Sequence, residues 1–375
     1  MRPVPVVVAV AGEPEWLLAL RKSDSGFLIL HEVADPVDLA AQVETLRPRA
    51  VLLDTSFRGG SPSLIARLAA AGGRCVAVGA DSAANALIAR EWGLLLSSGE
   101  TPELRQLLQA STSARHGSGE VIAVCGPTGS PGVSTIAANL AAELPELTSL
   151  IDADPRAASQ SFLLGAQDEP AGLLAALAQA QVGTIDEAGW SASQVSIARD
   201  LQLATGATDP SALSAVAGGL PVVVDVSRHT ARHTVVDCGS GDLPDWLSGT
   251  VATADAVVVV ALPTALGVQR LTRWWSRHDS VLGGRVLLGW NRLGGLGSAA
   301  LGEDPTQRLR QAATLTAGDV ATTYVAEDDD AAVAMNRERG PLRQVAPRSQ
   351  LRREIRELSI ELQRPTRPDK RVKAS

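Results

Sequence analysis

Five short apolar runs in the second half of this chain are rich in valine and leucine, too brief for helices, and separated by helix-length stretches. They are Val121-Ile-Ala-Val-Cys125, Leu147-Thr-Ser-Leu-Ile-Asp152, Thr234-Val-Val-Asp237, Ala256-Val-Val-Val-Val-Ala-Leu262 and Val286-Leu-Leu-Gly-Trp-Asn291. Such runs read as strands of a parallel sheet with crossover helices on both faces. A doubly wound sheet concentrates its chemistry at the carboxyl ends of its strands, and there this sequence puts Gly126, Asp152, Asp237 and Asn291.

The first hundred residues repeat the plan. Apolar runs at 4–10, 27–32, 50–53 and 75–78 alternate with helical stretches such as 36–46, which predicts a second α/β sheet of the flavodoxin-like kind. Small polar residues at 110–119, Ala-Ser-Thr-Ser-Ala-Arg-His-Gly-Ser-Gly, read as a linker. The expected organisation is therefore an N-terminal unit at 1–109, the linker at 110–119, a larger unit at 120–363 and a basic tail at 364–375, in a chain of 375 residues, long enough for two cores.

Charge and composition exclude several functions. From Arg348 onward nine basic residues face four acids, so the end of the chain carries +5 and the remainder −12 of the net −7. An acidic body disfavours nonspecific DNA binding. Arginine supplies nearly all the positive charge, because the only lysines are Lys22, Lys370 and Lys373. Cys75, Cys125 and Cys238 lack metal-ligand spacing and read as buried fillers of a reducing compartment. No apolar stretch is expected to reach the roughly 18 residues of a membrane span, so the expectation is a cytoplasmic protein.

The stretch Gly126-Pro-Thr-Gly-Ser-Pro-Gly-Val-Ser-Thr135 follows a strand-like run and opens a helix-like one. Glycines at 126, 129 and 132 permit a tight turn and close approach to an anion, and free N–H groups at the start of a helix favour phosphate. Gly129, Ser130, Gly132, Val133, Ser134 and Thr135 are thus the candidate nucleotide-binding residues. In a parallel sheet Asp152, Asp154 and Asp237 can converge on this loop, giving Ser134, Asp152 and Asp237 as candidate magnesium ligands. Asn291, at a further strand end, is the candidate base contact.

On these residues the chain resembles the ParA/MinD ATPases with a deviant Walker motif, and within them the CpaE/TadZ-like pilus-assembly proteins, over most of 120–362. The family loop Lys-Gly-Gly-x-Gly-Lys-Thr-Thr aligns with Thr128-Gly-Ser-Pro-Gly-Val-Ser-Thr135; "LIDADP" matches the acidic switch motif, "HTVVDCGSG" the Walker B segment, and Gly340-Pro-Leu the segment before the last helix. The resemblance implies Mg-ATP as ligand, Asp154 as the residue that activates water, a face-to-face homodimer, and partners in a pilus or secretion machine at the membrane's inner face or the cell pole. An N-terminal receiver-like unit is itself a CpaE-type arrangement. Asp54, in Val51-Leu-Leu-Asp-Thr55, falls at the phosphoacceptor position, but the companion acids and lysine are missing, so a turn-capping aspartate is expected instead.

Both family lysines are absent: Thr128 and Val133 stand in their places. Losing one charge-assisted hydrogen bond of about 1.5–3 kcal/mol weakens binding by one to two decades, whereas losing a transition-state donor costs about 10²–10³ in rate. Binding with slow or no hydrolysis is the expectation, with a pseudo-ATPase scaffold as the alternative; Arg156 and Arg292 are candidate replacement cations, though such arginines are more often solvated surface residues. Leu351, Ile355, Leu358 and Leu362 form a narrow stripe on a basic helix at 349–362. MinD relatives hold membranes with such a helix, yet a stripe without aromatics favours packing on the core. Of the neighbours Trp274 and Trp275, one is a candidate for exposure unless a wide helix interface or a loop absorbs both, and Glu327-Asp-Asp-Asp330 reads as a solvated helix start rather than a metal site.

Overall fold

The computed structural model describes residues 4–104 and 119–364, except 23–24, 47, 49, 62–63, 66–67, 69–73, 93, 95, 130, 296–297, 299–300, 303 and 319. Ser130, most of the linker and the tail beyond Arg364 lie outside the described residues.

Two sheets form. The first contains β1 (Val4–Ala9), β2 (Phe27–Val33), β3 (Ala50–Asp54), β4 (Arg74–Val78) and β5 (Leu96–Ser97). Its order β2-β1-β3-β4-β5, parallel throughout, is the flavodoxin-like order. The central strands β1 and β3 are covered on both faces, which explains their unbroken Val/Leu sequences.

Asp54 closes β3 as a structural residue. One carboxylate oxygen accepts the Trp16 indole N–H at 2.7 Å, and the other accepts the Ser56 amide at 2.8 Å. Trp16 and Ser56 thereby occupy the space around both oxygens that a phosphoacceptor would leave for a metal.

The second sheet holds β6 (Glu120–Gly126), β7 (Thr148–Asp152), β8 (Val195–Ala198), β9 (Leu201–Ala204), β10 (His233–Ser240), β11 (Ala256–Ala261), β12 (Arg285–Leu293) and β13 (Ala321–Ala326). The order is β13-β12-β11-β6-β10-β7-β9-β8. All its neighbours are parallel except the β8–β9 pair, which closes one edge as a hairpin. The short pair β8 and β9 was not anticipated, because Val195–Ala204 lacks a long valine run. The order in which successive strands are added reverses around β6, so the carboxyl ends of β6, β10 and β7 lie side by side at the switch point, where ligands of such sheets bind.

Two apolar layers clamp this sheet. The helix Val133–Glu143, called here the loop helix, buries Ile136, Ala137, Ala138, Leu140, Ala141 and Ala142. Its alanines let it approach both the sheet and the last helix, Gln350–Gln363. That last helix turns Leu351, Ile355, Leu358 and Leu362 inward, and its Arg352 Nε lies 2.6 Å from Glu143 Oε1. The stripe packs on the core, each large apolar side chain contributing about 1.5–3 kcal/mol by burial.

Other expectations are revised. Trp274 and Trp275 are both buried, because the helix that bears them, Ala265–His278, is covered by the sheet on one side and by the helix Pro305–Ala317 on the other. A stretch apolar enough and long enough for a membrane span does exist, Pro210–Thr230 with mean hydropathy 1.3. It folds as two helices joined by a single 3-10 turn, with Leu213, Leu220 and Val223 in the core. Asp328 caps the helix Asp329–Glu338 by accepting the Ala331 amide and also accepts the Gln350 amide, tying two helix starts together.

The Asp54 contacts give a test. Asp54→Ala orphans a buried indole N–H and is expected to lower unfolding free energy by about 1–3 kcal/mol, read as a shifted denaturant midpoint. A change below about 0.5 kcal/mol, the range of ordinary surface substitutions, would rule out this structural role.

Candidate functional site

The register of three parallel strands builds the site. Asp237 on β10 pairs with Asp152 on β7 and with Val124 on β6, so the two carboxylates sit on adjacent strands beside the strand that leads into the loop. Both are fully buried. Ser159 and Gln160 donate their amides to Asp152 Oδ2 at 2.9 and 2.8 Å, while Asp152 Oδ1 has no hydrogen-bond partner. Asp237 Oδ1 accepts from the Gly239 amide at 3.0 Å.

Gln160 joins the carboxylates to the loop. Its Nε2 donates to Asp237 Oδ2 at 2.7 Å and to the Ser134 carbonyl at 2.9 Å, and the side chain is fully buried. Sequence reasoning missed it, because a lone glutamine eight residues past an aspartate carries no motif. The same holds for the glycines that shape the site. Gly239 has φ 67°, and a Cβ there would fall 2.2 Å from the Asp154 carboxyl carbon, so a side chain at 239 would evict that acid. Asp154 itself accepts the Arg156 amide at 2.9 Å and is the least buried of the three acids.

The loop has the backbone its glycines predict. Gly129 and Gly132 take φ values of 112° and 88°, and Gly132 caps the loop helix from the left-handed region. Asn291 donates its side-chain amide to the Pro131 carbonyl at 2.8 Å, and a Cβ on Gly132 would meet that nitrogen at 2.3 Å. Asn291 thus braces the loop from β12. Thr135 opens the loop helix, and its carbonyl accepts from Asn139, whose oxygen takes the Leu342 amide at 2.7 Å. Val133 is buried against the sheet in the hydrophobic layer of Ile136 and Val260, at the lysine position. Of the two arginines expected as substitutes, Arg292 is exposed in a left-handed kink at φ 67°, and Arg156 donates to the Asp242 carbonyl at 3.0 Å.

Burial dominates the electrostatics. Loss of water raises the Asp237 carboxyl to about 6, opposed by the Gln160 and Ser134 side chains. Asp152 is raised well above the usual carboxylate range, first by burial and then by the charge of Asp237. Burial likewise pushes the Cys125 and Cys238 thiols up, leaving them inert fillers.

Two desolvated carboxylates, an unpartnered carboxylate oxygen and the Ser134 hydroxyl form a set of hard oxygen donors that suits a magnesium ion. Among the described residues no three His, Cys, Asp or Glu side chains form a closed metal cage, so an ion here needs water or phosphate to complete its shell. The start of the loop helix leaves N–H groups without helical partners, which favours an anion there. The structure thus gathers Gly129, Gly132, Val133, Ser134, Thr135, Asp152, Asp154, Asp237 and Asn291 around one strand-end crevice.

No protein-family model matches the sequence, and no curated protein matches it. Solved structures do. The septum site-determining protein MinD of Pyrococcus horikoshii, complexed with Mg-ADP, is 18% identical with a TM-score of 0.53, over 65% of this chain and 96% of that one. A ParA family ATPase from Chlorobium tepidum is 16% identical with a TM-score of 0.56, over 64% and 98%. The cell division ATPase MinD of Pyrococcus furiosus is 19% identical at 0.52, over 65% and 98%. About two thirds of the chain therefore has the MinD/ParA fold.

Two outcomes check the site. An acid held above its usual range binds its proton more tightly in the folded chain, so the ligand-free protein loses stability as pH rises from about 4 to about 6. Asp237→Asn is expected to flatten that slope and raise the melting temperature at pH 7; an unchanged slope would contradict the burial argument. Gly239→Ala, which collides with Asp154, is expected to cost about 1–3 kcal/mol from left-handed strain and overpacking, read by thermal melting, whereas Gly218→Ala, with open space around its Cα, is the control.

Proposed function

We propose that this chain is a nucleotide-responsive positioning or assembly factor that binds Mg-ATP in the strand-end crevice, hydrolyses it slowly or not at all, and acts as a face-to-face dimer serving a pilus or secretion machine. The observation that carries the reading is the convergence of the glycine loop, Ser134 and the buried pair Asp152 and Asp237 at one switch point. The MinD/ParA fold supports it, and one structure of that fold holds Mg-ADP.

Each residue has a derived task. Ser134, Asp152 and Asp237 would hold the magnesium ion, which when bound neutralises phosphate charge. The loop amides would cradle phosphate oxygens, Asn291 keeps the loop in its cradle shape, and Gln160 orients Asp237. Asp154, the most accessible carboxylate, would orient water. With Thr128 and Val133 in the lysine places, the loop itself contributes no cation to a transition state, so turnover is slow. In this reading the N-terminal sheet is the receiver-like part that recruits the machine, as in CpaE/TadZ-like proteins.

A second reading, a scaffold without nucleotide, draws on Val133, whose side chain faces the apolar layer. Calorimetric titration of the full chain separates the two. Micromolar Mg-ATP binding, weakened about tenfold or more by Asp237→Ala, is expected for the switch, one lost charge-assisted contact amounting to about 1.5–3 kcal/mol. Absence of binding at millimolar Mg-ATP by a folded wild type would leave the scaffold.

A further inference from the structure

The helix Ala265–His278 carries Arg270, Arg273 and Arg277, at steps of three and four that place them on one face. With Pro127, Thr128 and Gly241 they line a cavity of about 240 Å³ beside the loop. Its floor is fixed by the Trp274 indole, which donates to the Gly241 carbonyl at 2.7 Å, and the helix is anchored by the Thr264 cap. The one acid lining it, Asp242, is already engaged: Arg277 lies 2.9 Å from it and His278 3.3 Å. Arg270 and Arg273 have no acidic partner among the described residues.

Arg270 is also pressed on the loop. A Cβ on Gly129 would fall 2.0 Å from Arg270 Nη1, so the guanidinium rests against the glycine that follows Thr128. A half-buried, uncompensated guanidinium with paired N–H donors is suited to oxyanions, above all phosphate. The cavity is smaller than the roughly 300–1,000 Å³ of whole-ligand pockets, a size for a phosphate group rather than a nucleoside.

We propose that Arg270, flanked by Arg273, supplies to the terminal phosphate of a nucleoside triphosphate held by its own loop the positive charge that Thr128 and Val133 do not. This rests on the nucleotide reading above and adds to it a cation from a different element of the fold. An arginine delivered from a helix keeps its charge at any cellular pH and binds two oxygens at once, where a lysine offers a point charge.

The test compares Mg-ATP, Mg-ADP and inorganic tripolyphosphate binding by calorimetry on the full chain, for wild type, Arg270→Ala, Arg270→Lys and Arg273→Ala, with circular dichroism to verify folding. Arg270→Ala is expected to weaken Mg-ATP about 10- to 100-fold and Mg-ADP less than about threefold, with Arg270→Lys intermediate, the size of one lost charge-assisted contact. Equal affinity for Mg-ATP in wild type and folded Arg270→Ala would overturn the proposal while leaving nucleotide binding intact. Arg270-dependent binding of tripolyphosphate without any binding of Mg-ATP or Mg-ADP would overturn the nucleotide reading and with it the triphosphate assignment, leaving a plain oxyanion pocket. An Arg270 effect seen only at protein concentrations where a dimer forms would overturn the same-chain assignment.

Discussion

Placing Asp152 opposite Asp237, both out of water, is the constraint to which the rest of the larger sheet answers. Two like charges on adjacent strands cannot both ionise cheaply without partners. The chain supplies amides from Ser159, Gln160 and Gly239 and the Gln160 carboxamide. To deliver them, residues 153–159 must fold back over the end of β7, and Gly239 must adopt a left-handed turn after β10. Even so, Asp152 Oδ1 stays without a partner. A crevice of this kind is destabilising when empty, and a bound cation would offset that cost.

Around that pair the glycine loop at 126–135 carries no lysine. Positive charge is present a few ångströms away on the helix after β11, where Arg270 rests on Gly129. Loop and helix are locked by shape: Trp274 holds the Gly241 carbonyl, and Gly241 in turn donates its amide to the Gly126 carbonyl at 2.7 Å. The arginine row is therefore registered to the loop through backbone contacts and does not depend on a flexible surface tether.

Much of this was legible in the sequence. Buried parallel strands leave a strong mark because valine runs on both faces must be apolar, so β6, β7, β10, β11 and β12 could be read directly, together with the strand-end residues Asp152, Asp237 and Asn291. The glycine spacing foretold the loop. What could not be read are contacts between elements far apart in the chain: Gln160 reaching Asp237, Arg270 reaching Gly129, and Asn291 bracing Pro131. Each depends on helix rotation and side-chain reach, which composition and periodicity do not encode. Which outcome the two tryptophans take is open in the sequence for a related reason, since periodicity gives one buried face and says nothing of a helix covered from two sides. The edge pair β8 and β9 escaped because short half-exposed strands carry little hydrophobic signal.

The last helix bears on more than packing. Its stripe of Leu351, Ile355, Leu358 and Leu362 is one wall of the layer whose other wall is the loop helix, and Arg352 ties it to Glu143 at that helix's end. Baring the stripe to any outside surface means unsealing the helix whose first turn presents Ser134 and Thr135. Docking through the apolar face of Gln350–Gln363 and a sealed loop helix are thus competing uses of the same leucines.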